Sequence, residues 1–329
     1  MHQIRSIQAF DADEHAHNLT NWEQCYDQTT PGAFSGSLHE LQLPGMQVFK
    51  EHTSQGMRQS CCVWPDALWF GLPQRPATNA TSPRGRINGR STEGDTVMVR
   101  PGSQEFELLT PADYGIYGIV VRQERLREAA DAQGYSLDWS RLTRHELLHV
   151  DSQAHARCLN TLDRLLHTPA SEHTLPATPL AATDPAEQLT EALLPLLDGA
   201  RDPAQVSSSF ARHQRVVAKA RACLLAHPDQ PLDVPELCEQ LHVSRRTLQY
   251  CFEHVLGLTP MQYLRILRLN GARRSLRQQG PGASVQDVAT RWGFWHLSQF
   301  ATDFRKLFGH TPSQTPVQVS VPANLPTLH

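Results

Sequence analysis

The chain has 329 residues, a length that leans toward two domains. With 40% hydrophobic and 19% charged residues it has enough apolar content to bury a core, which excludes disordered and collagen-like classes, and its apolar runs are too short for a transmembrane helix. The net charge of −3 hides an asymmetry: residues 210–312 hold 14 Lys+Arg against 7 Asp+Glu (net +7), while the remainder holds 16 against 26 (net −10). A basic module joined to an acidic one is the footprint of a polyanion binder with a separate control domain.

From the front, Met1-His-Gln-Ile-Arg lacks the apolar stretch of a secretory signal, and seven irregularly spaced cysteines argue for a reducing cytoplasm over a disulfide framework. Residues 20–121 read as β-rich. Leu38 to Leu43 and Met46 to Phe49 alternate apolar with polar, as half-buried strands do. Ser60-Cys-Cys-Val-Trp, Leu68-Trp-Phe-Gly-Leu, Thr96-Val-Met-Val, Glu105-Phe-Glu-Leu-Leu and the run from Tyr114 to Val121 add five further strands. Pro44-Gly45, Pro101-Gly102 and Pro111 separate them, and the polar stretch from Pro73 to Gly94 reads as a long loop. The pattern predicts a β-sandwich or barrel.

Residues 123–167 switch to helical spacing, with Leu147, Leu148, Leu159, Leu162, Leu165 and Leu166 as apolar stripes. Residues 168–208 contain Pro169, Pro176, Pro179, Pro185, Pro195 and Pro203, which predicts a partly flexible linker with one helix around Glu187 to Leu197. Residues 316–329 read as a frayed tail.

The basic segment contains an internal repeat. Val234, Leu237, Cys238 and Leu241 mark one buried helical face, and Val285, Val288, Ala289 and Trp292 repeat that spacing 51 residues later. Each helix opens on a capping-box pattern, Asp233-x-x-Glu236 and Ser284-x-x-Asp287. A second helix follows each, with Leu248, Phe252, Val255 and Leu256 inward in one copy and Phe300, Phe304, Leu307 and Phe308 in the other, now 52 residues apart. Both copies end alike, Gly257-Leu-Thr-Pro260 and Gly309-His-Thr-Pro312. The pattern is a duplicated helix-turn-helix. A linker helix from Thr259 to about Gln278 lies between, roughly 29 Å long at 1.5 Å per residue. That is close to the ~34 Å spacing of successive major-groove faces. Its arginines, Arg265, Arg268, Arg273, Arg274 and Arg277, are expected to keep one face polar.

On these residues the segment resembles the AraC/XylS family of bacterial transcription regulators, through VSRRTLQYCFEHVLGLTPMQYLRILRLNGARRSL in the first copy and SVQDVATRWGFWHLSQFATDFRKLFGHTPS in the second. The tyrosine and arginine usual after the final Thr-Pro are replaced by Ser313-Gln-Thr-Pro. With Leu248 and Phe252 inward, Arg245, Arg246, Gln249 and Tyr250 face outward near the end of the helix that meets base edges. Arginine can bridge guanine O6 and N7, and glutamine can pair with adenine. In the second copy His296, Ser298, Gln299 and Thr302 are the corresponding candidates, weaker hydrogen-bond partners that predict a less selective helix.

The front narrows the resemblance. Arg58-Gln-Ser-Cys, Val63-Trp-Pro, Trp69-Phe-Gly and Arg100-Pro-Gly, with the run from Gly293 to Phe304, look like the ethanolamine-operon regulator branch. This implies an activator responding to ethanolamine and adenosylcobalamin as effectors, with no permanently bound cofactor. A circuit such as quorum sensing or virulence is the alternative. Arg58, Trp64, Trp69 and Glu105 are the candidate ligand contacts. His15-x-His17 beside Glu14 can chelate, but it reads as a polar arm with no thiolate partner. Neighbours in a strand face opposite ways, which argues against a bridge between Cys61 and Cys62, and both read as small core residues. Phosphate-loop, dinucleotide and hydrolase motifs are absent, and no enzyme activity is expected.

The expected architecture is α+β and multidomain: a β-rich, cupin-like sensor (1–122), a helical dimerisation and linker region (123–208), a seven-helix AraC-type domain with two helix-turn-helix units joined by a linker helix (209–315), and a tail. The expected partners are double-stranded promoter DNA, RNA polymerase as the family implies, and a second copy bound through the N-terminal or helical region, without a membrane. Two rivals stand beside this: a ligand-binding or enzymatic β domain merely tethered to nucleic acid, and an architectural DNA bender with no effector.

Overall fold

The computed structural model describes residues 4–74, 84–92, 94–167, 184–202, 208–226, 232–279 and 284–316. Parts of the expected long loop (75–83 and 93), most of the proline-rich linker (168–183 and 203–207) and the tail from residue 317 lie outside the described residues. The chain divides into two units, Met1–Gln214 and Arg215–His329.

In the first unit the elements run β1 (Ile4–Ala9), α1 (Ala12–Ala16), β2 (Glu23–Gln28), β3 (Gly36–Leu43), β4 (Met46–Thr53), β5 (Met57–Cys62), β6 (Ala67–Pro73), β7 (Arg86–Ile87), β8 (Arg90–Ser91), β9 (Thr96–Pro101), β10 (Phe106–Thr110) and β11 (Tyr114–Arg122). There follow α2 (Gln123–Gln133), α3 (Trp139–Arg144), β12 (Leu147–His149), α4 (Ser152–His167) and α5 (Pro185–Asp198). The strands form two sheets, β1-β3-β4-β11-β6-β9-β12 and β2-β5-β10-β7-β8. Strand alternation gives the larger sheet two buried faces. One, with Trp69, Met98, Ile116 and Val120, packs with Tyr26, Met57, Phe106 and Leu108 of the smaller sheet. The other, with Val48, Leu68, Phe70, Val97, Ile119 and Val121, packs with Leu126, Cys158, Leu162, Leu165, Leu189 and Leu193 from the helices.

The helices after residue 122 share a core with the larger sheet. Two expectations are corrected. Leu147 and Leu148, expected on a helical stripe, lie in β12, paired with Met98 and Val97 of β9. A three-residue strand is too short for its period to be read without its partner. The expected loop from Pro73 to Gly94 contains the β7–β8 hairpin, in which Arg86 pairs with Ser91. The helix expected at Glu187 to Leu197 is α5, which opens on Pro185 with Asp184 accepting from the Ala186 N–H. No helix among the described residues is long and apolar enough to cross a membrane.

α6 (Ser208–Ala226) leads into the second unit, which continues with α7 (Val234–Leu241), α8 (Arg245–Leu256), α9 (Pro260–Gln279), α10 (Val285–Arg291), α11 (Leu297–Phe308) and a short 3-10 turn, Pro312–Gln314. Only the turn would bring the described helices to the expected seven.

Candidate nucleic-acid interface

Each helix pair of the second unit is built by local signals. At α7 the capping box closes both ways: Glu236 N–H donates to Asp233 at 2.9 Å, and Asp233 N–H donates to the Glu236 carboxylate at 2.7 Å. His242 ends the helix in the left-handed region at φ 53°, and Ser244 opens α8 three residues after α7 stops. At α10 the Asp287 N–H donates to Ser284 at 3.2 Å. Five residues, with Gly293 at φ 76°, then separate α10 from α11. From the first residue of one helix to that of the next the step is 11 in the first pair and 12 in the second (234 to 245, 285 to 297), which is the one-residue drift seen in the repeat.

The Gly-x-Thr-Pro endings have one physical role twice over. Gly257 and Gly309 cap α8 and α11 at φ 71° and 80°, a region open to glycine at little cost. Thr259 and Thr311 then each exchange capping bonds with a glutamine three residues on, Gln262 and Gln314. In the first case a 20-residue helix follows, in the second only the 3-10 turn.

α8 buries Leu248, Cys251, Phe252, Val255 and Leu256 and leaves Arg245, Arg246, Gln249 and Tyr250 exposed. Neither Arg245 nor Arg246 has a hydrogen-bond or carboxylate partner among the described residues. Gln249 donates to Glu253 at 3.0 Å, and the Tyr250 ring stacks on His254 with centroids 5.6 Å apart. α11 buries Phe300, Phe304, Leu307 and Phe308 and leaves His296, Ser298, Gln299 and Thr302 exposed. Gln299 donates to Asp303 at 3.0 Å, and the Thr302 hydroxyl to the Ser298 carbonyl at 2.8 Å. Trp295, which the sequence reading did not single out, stands exposed just before α11.

α9 departs from the expected polar rod. Arg273 and Arg277 are buried, and the Arg273 guanidinium lies 5.1 Å over the Phe308 ring. Arg268 donates to the Leu232 carbonyl at 2.5 Å, and burial lowers its pKa against the pull of Asp233 and Glu236. Arg265 pairs with Asp303 of α11. The arginines therefore tie α9 to its neighbours. Gly271 faces the Trp292 indole, whose Nε1–H donates to Ser275 at 3.0 Å.

In the first unit the candidate ligand contacts do not converge. Arg58 is buried, donating to Asp27 at 2.8 Å and to Glu107 at 2.6 Å. Alternation places it on the face opposite the core residue Met57. Trp69 is buried inside the sandwich, stacked on Phe106 with centroids 4.7 Å apart. Trp64 is partly buried beside Arg122, and Glu105 is exposed and accepts from Ser60 at 2.5 Å. His15 is not on a polar arm: it is buried on α1, with Nε2 3.0 Å from Glu51. Glu51 also accepts from Tyr26 at 2.8 Å, and burial, then the nearby carboxylate, pushes the Tyr26 hydroxyl pKa well up. Among the described residues no group of three metal-ligating side chains forms, and no disulfide joins the seven cysteines.

Residues 237–316 match the family model described as a helix-turn-helix domain. These residues, with their exposed basic helix, define a helix-turn-helix class. The chain is 33% identical over 168 residues to the probable thc operon regulatory protein of Rhodococcus erythropolis, covering 51% of this chain and 50% of that one. It is 43% identical over 76 residues to the transcriptional activator RhaS of Escherichia coli strain SE11, covering 23% and 27%. A solved transcriptional regulator with an AraC-type DNA-binding domain, from Chromobacterium violaceum, is 30% identical and covers 34% of this chain and 98% of that chain, with a TM-score of 0.31. The chain spans about half the length, or less, of these curated relatives. Over its carboxy-terminal part the chain is thus similar to proteins described as transcriptional regulators, through a helix-turn-helix domain.

Proposed function

We propose that the protein is a sequence-specific regulator of transcription, in which α8 and α11 are the reading helices of two helix-turn-helix units that enter adjacent major grooves of promoter DNA. The observation that carries this reading is the outward face of α8. Two arginines without carboxylate partners among the described residues lie beside Gln249 and Tyr250, on a helix whose other face is buried. α9, at 20 residues about 30 Å long, has the length to space two grooves. The first unit is a cupin-like sensor, a reading supported by its two antiparallel sheets around an aromatic interior. Its effector shifts the population between states of different DNA affinity. Ethanolamine and adenosylcobalamin are the effectors to titrate first, on the resemblance of the front segments. Homodimerisation, contact with RNA polymerase and a cytoplasmic location complete the proposal.

The test is selection of duplexes from a random library by the full chain, followed by mobility shifts on the recovered site. Arg246→Ala is expected to cost about 1–3 kcal/mol and to relax choice at one position. Equal loss on every sequence would demote Arg246 to a backbone contact, and no enriched duplex at low ionic strength would remove the DNA-reading function altogether.

A further inference from the structure

We infer that α11 reads DNA through apolar contact, with the Trp295 indole set against a thymine methyl group in the major groove; this deepens, and rests on, the DNA-reading function proposed above. Trp295 is 76% exposed and Leu297, the first residue of α11, 40% exposed, so two large apolar side chains flank the His296 cap at the end of the helix that meets bases. The turn separates two neighbouring aromatics. Phe294 packs inward with its ring 4.9 Å from Phe300, and Trp295 is left in water.

Two polar side chains of α11 are already engaged within the protein, which leaves room for an apolar reader beside them. Gln299 already donates to Asp303, and Asp303 also takes Arg265. The Thr302 hydroxyl is spent on the Ser298 carbonyl. The basic residues of α11, Arg305 and Lys306, sit in its last turn. Among major-groove edges the thymine C5-methyl is the apolar feature, and an exposed indole gains by covering it. The net +7 of residues 210–312 favours a duplex as the occupant of this face.

The experiment takes the duplex selected by the full-length wild type and replaces each thymine in turn by deoxyuridine, which removes only the methyl group. At one or two positions in the half-site remote from those altered by Arg246→Ala, wild type is expected to lose about fourfold in affinity, the worth of one buried methyl. Trp295→Ala is expected to bind more weakly and to be indifferent to the same replacements, while Trp295→Phe keeps part of the effect. A flat deoxyuridine scan in wild type overturns the inference, and so does a Trp295→Ala protein that keeps the full methyl dependence. Either result leaves the DNA-reading function standing, because that is decided by whether selection yields a site at all. The exposed ring carries little packing, so the Trp295 variants are expected to fold.

Discussion

Arg58 lies across three neighbouring strands of the smaller sheet, bonded to Asp27 on β2 and Glu107 on β10 while all three side chains are buried. A guanidinium between two carboxylates suits its fork of donors, and the low-dielectric surroundings make the arrangement sensitive to loss of one member. Arg58→Leu removes the cation and leaves both carboxylates out of water, with an expected cost of about 3–5 kcal/mol. The urea midpoint of the intact chain measures it, and an unchanged midpoint would show that the triad does not hold the sheet. A ligand-binding defect in such a variant would therefore report a damaged fold before it reported a lost contact. Arg58 was legible in the sequence as a notable residue, but its partners, 31 and 49 positions away, were not.

At the scale of elements, the packing of α9 with α10 and the residue that caps it depends on one glycine. A Cβ built on Gly271 would stand 2.2 Å from the Trp292 ring, in a core that includes Leu269, Ala272, Val288 and Ala289. Gly271→Ala is expected to destabilise by about 1–3 kcal/mol through overpacking, despite the better helix propensity of alanine. Thermal unfolding checks it, and Trp292→Leu in the same chain should return part of the loss by making room. The helix boundaries themselves were mostly readable, because a cap, a proline at the first position and a terminal glycine act within one turn. The inward roles of Arg273 and Arg277 were not readable, since helical period assigns a face and cannot say which neighbours cover it.

For the whole molecule, charge separation sets the expected affinity. The basic segment is +7 and the remainder −10, so a near-neutral chain carries its phosphate-binding capacity in one part. If six to ten phosphates are contacted, binding is expected to fall about 10³ to 10⁵ between 50 and 200 mM salt. A fluorescence anisotropy titration on the selected duplex across that range measures the slope, and a flat response would mean that phosphates contribute little.

By itself the amino-acid sequence determined the duplicated helix pairs, their caps, the Gly-x-Thr-Pro endings and most strands, all of which are written in residues close along the chain. Tertiary structure alone decided that β12 completes the large sheet, that the helices after residue 122 share its core, that His15 is buried beside Glu51, and that Trp295 is left in water beside a partly buried Phe294. The physical reason is that periodicity and capping are local, whereas burial is settled only when distant segments arrive to cover, or fail to cover, a side chain.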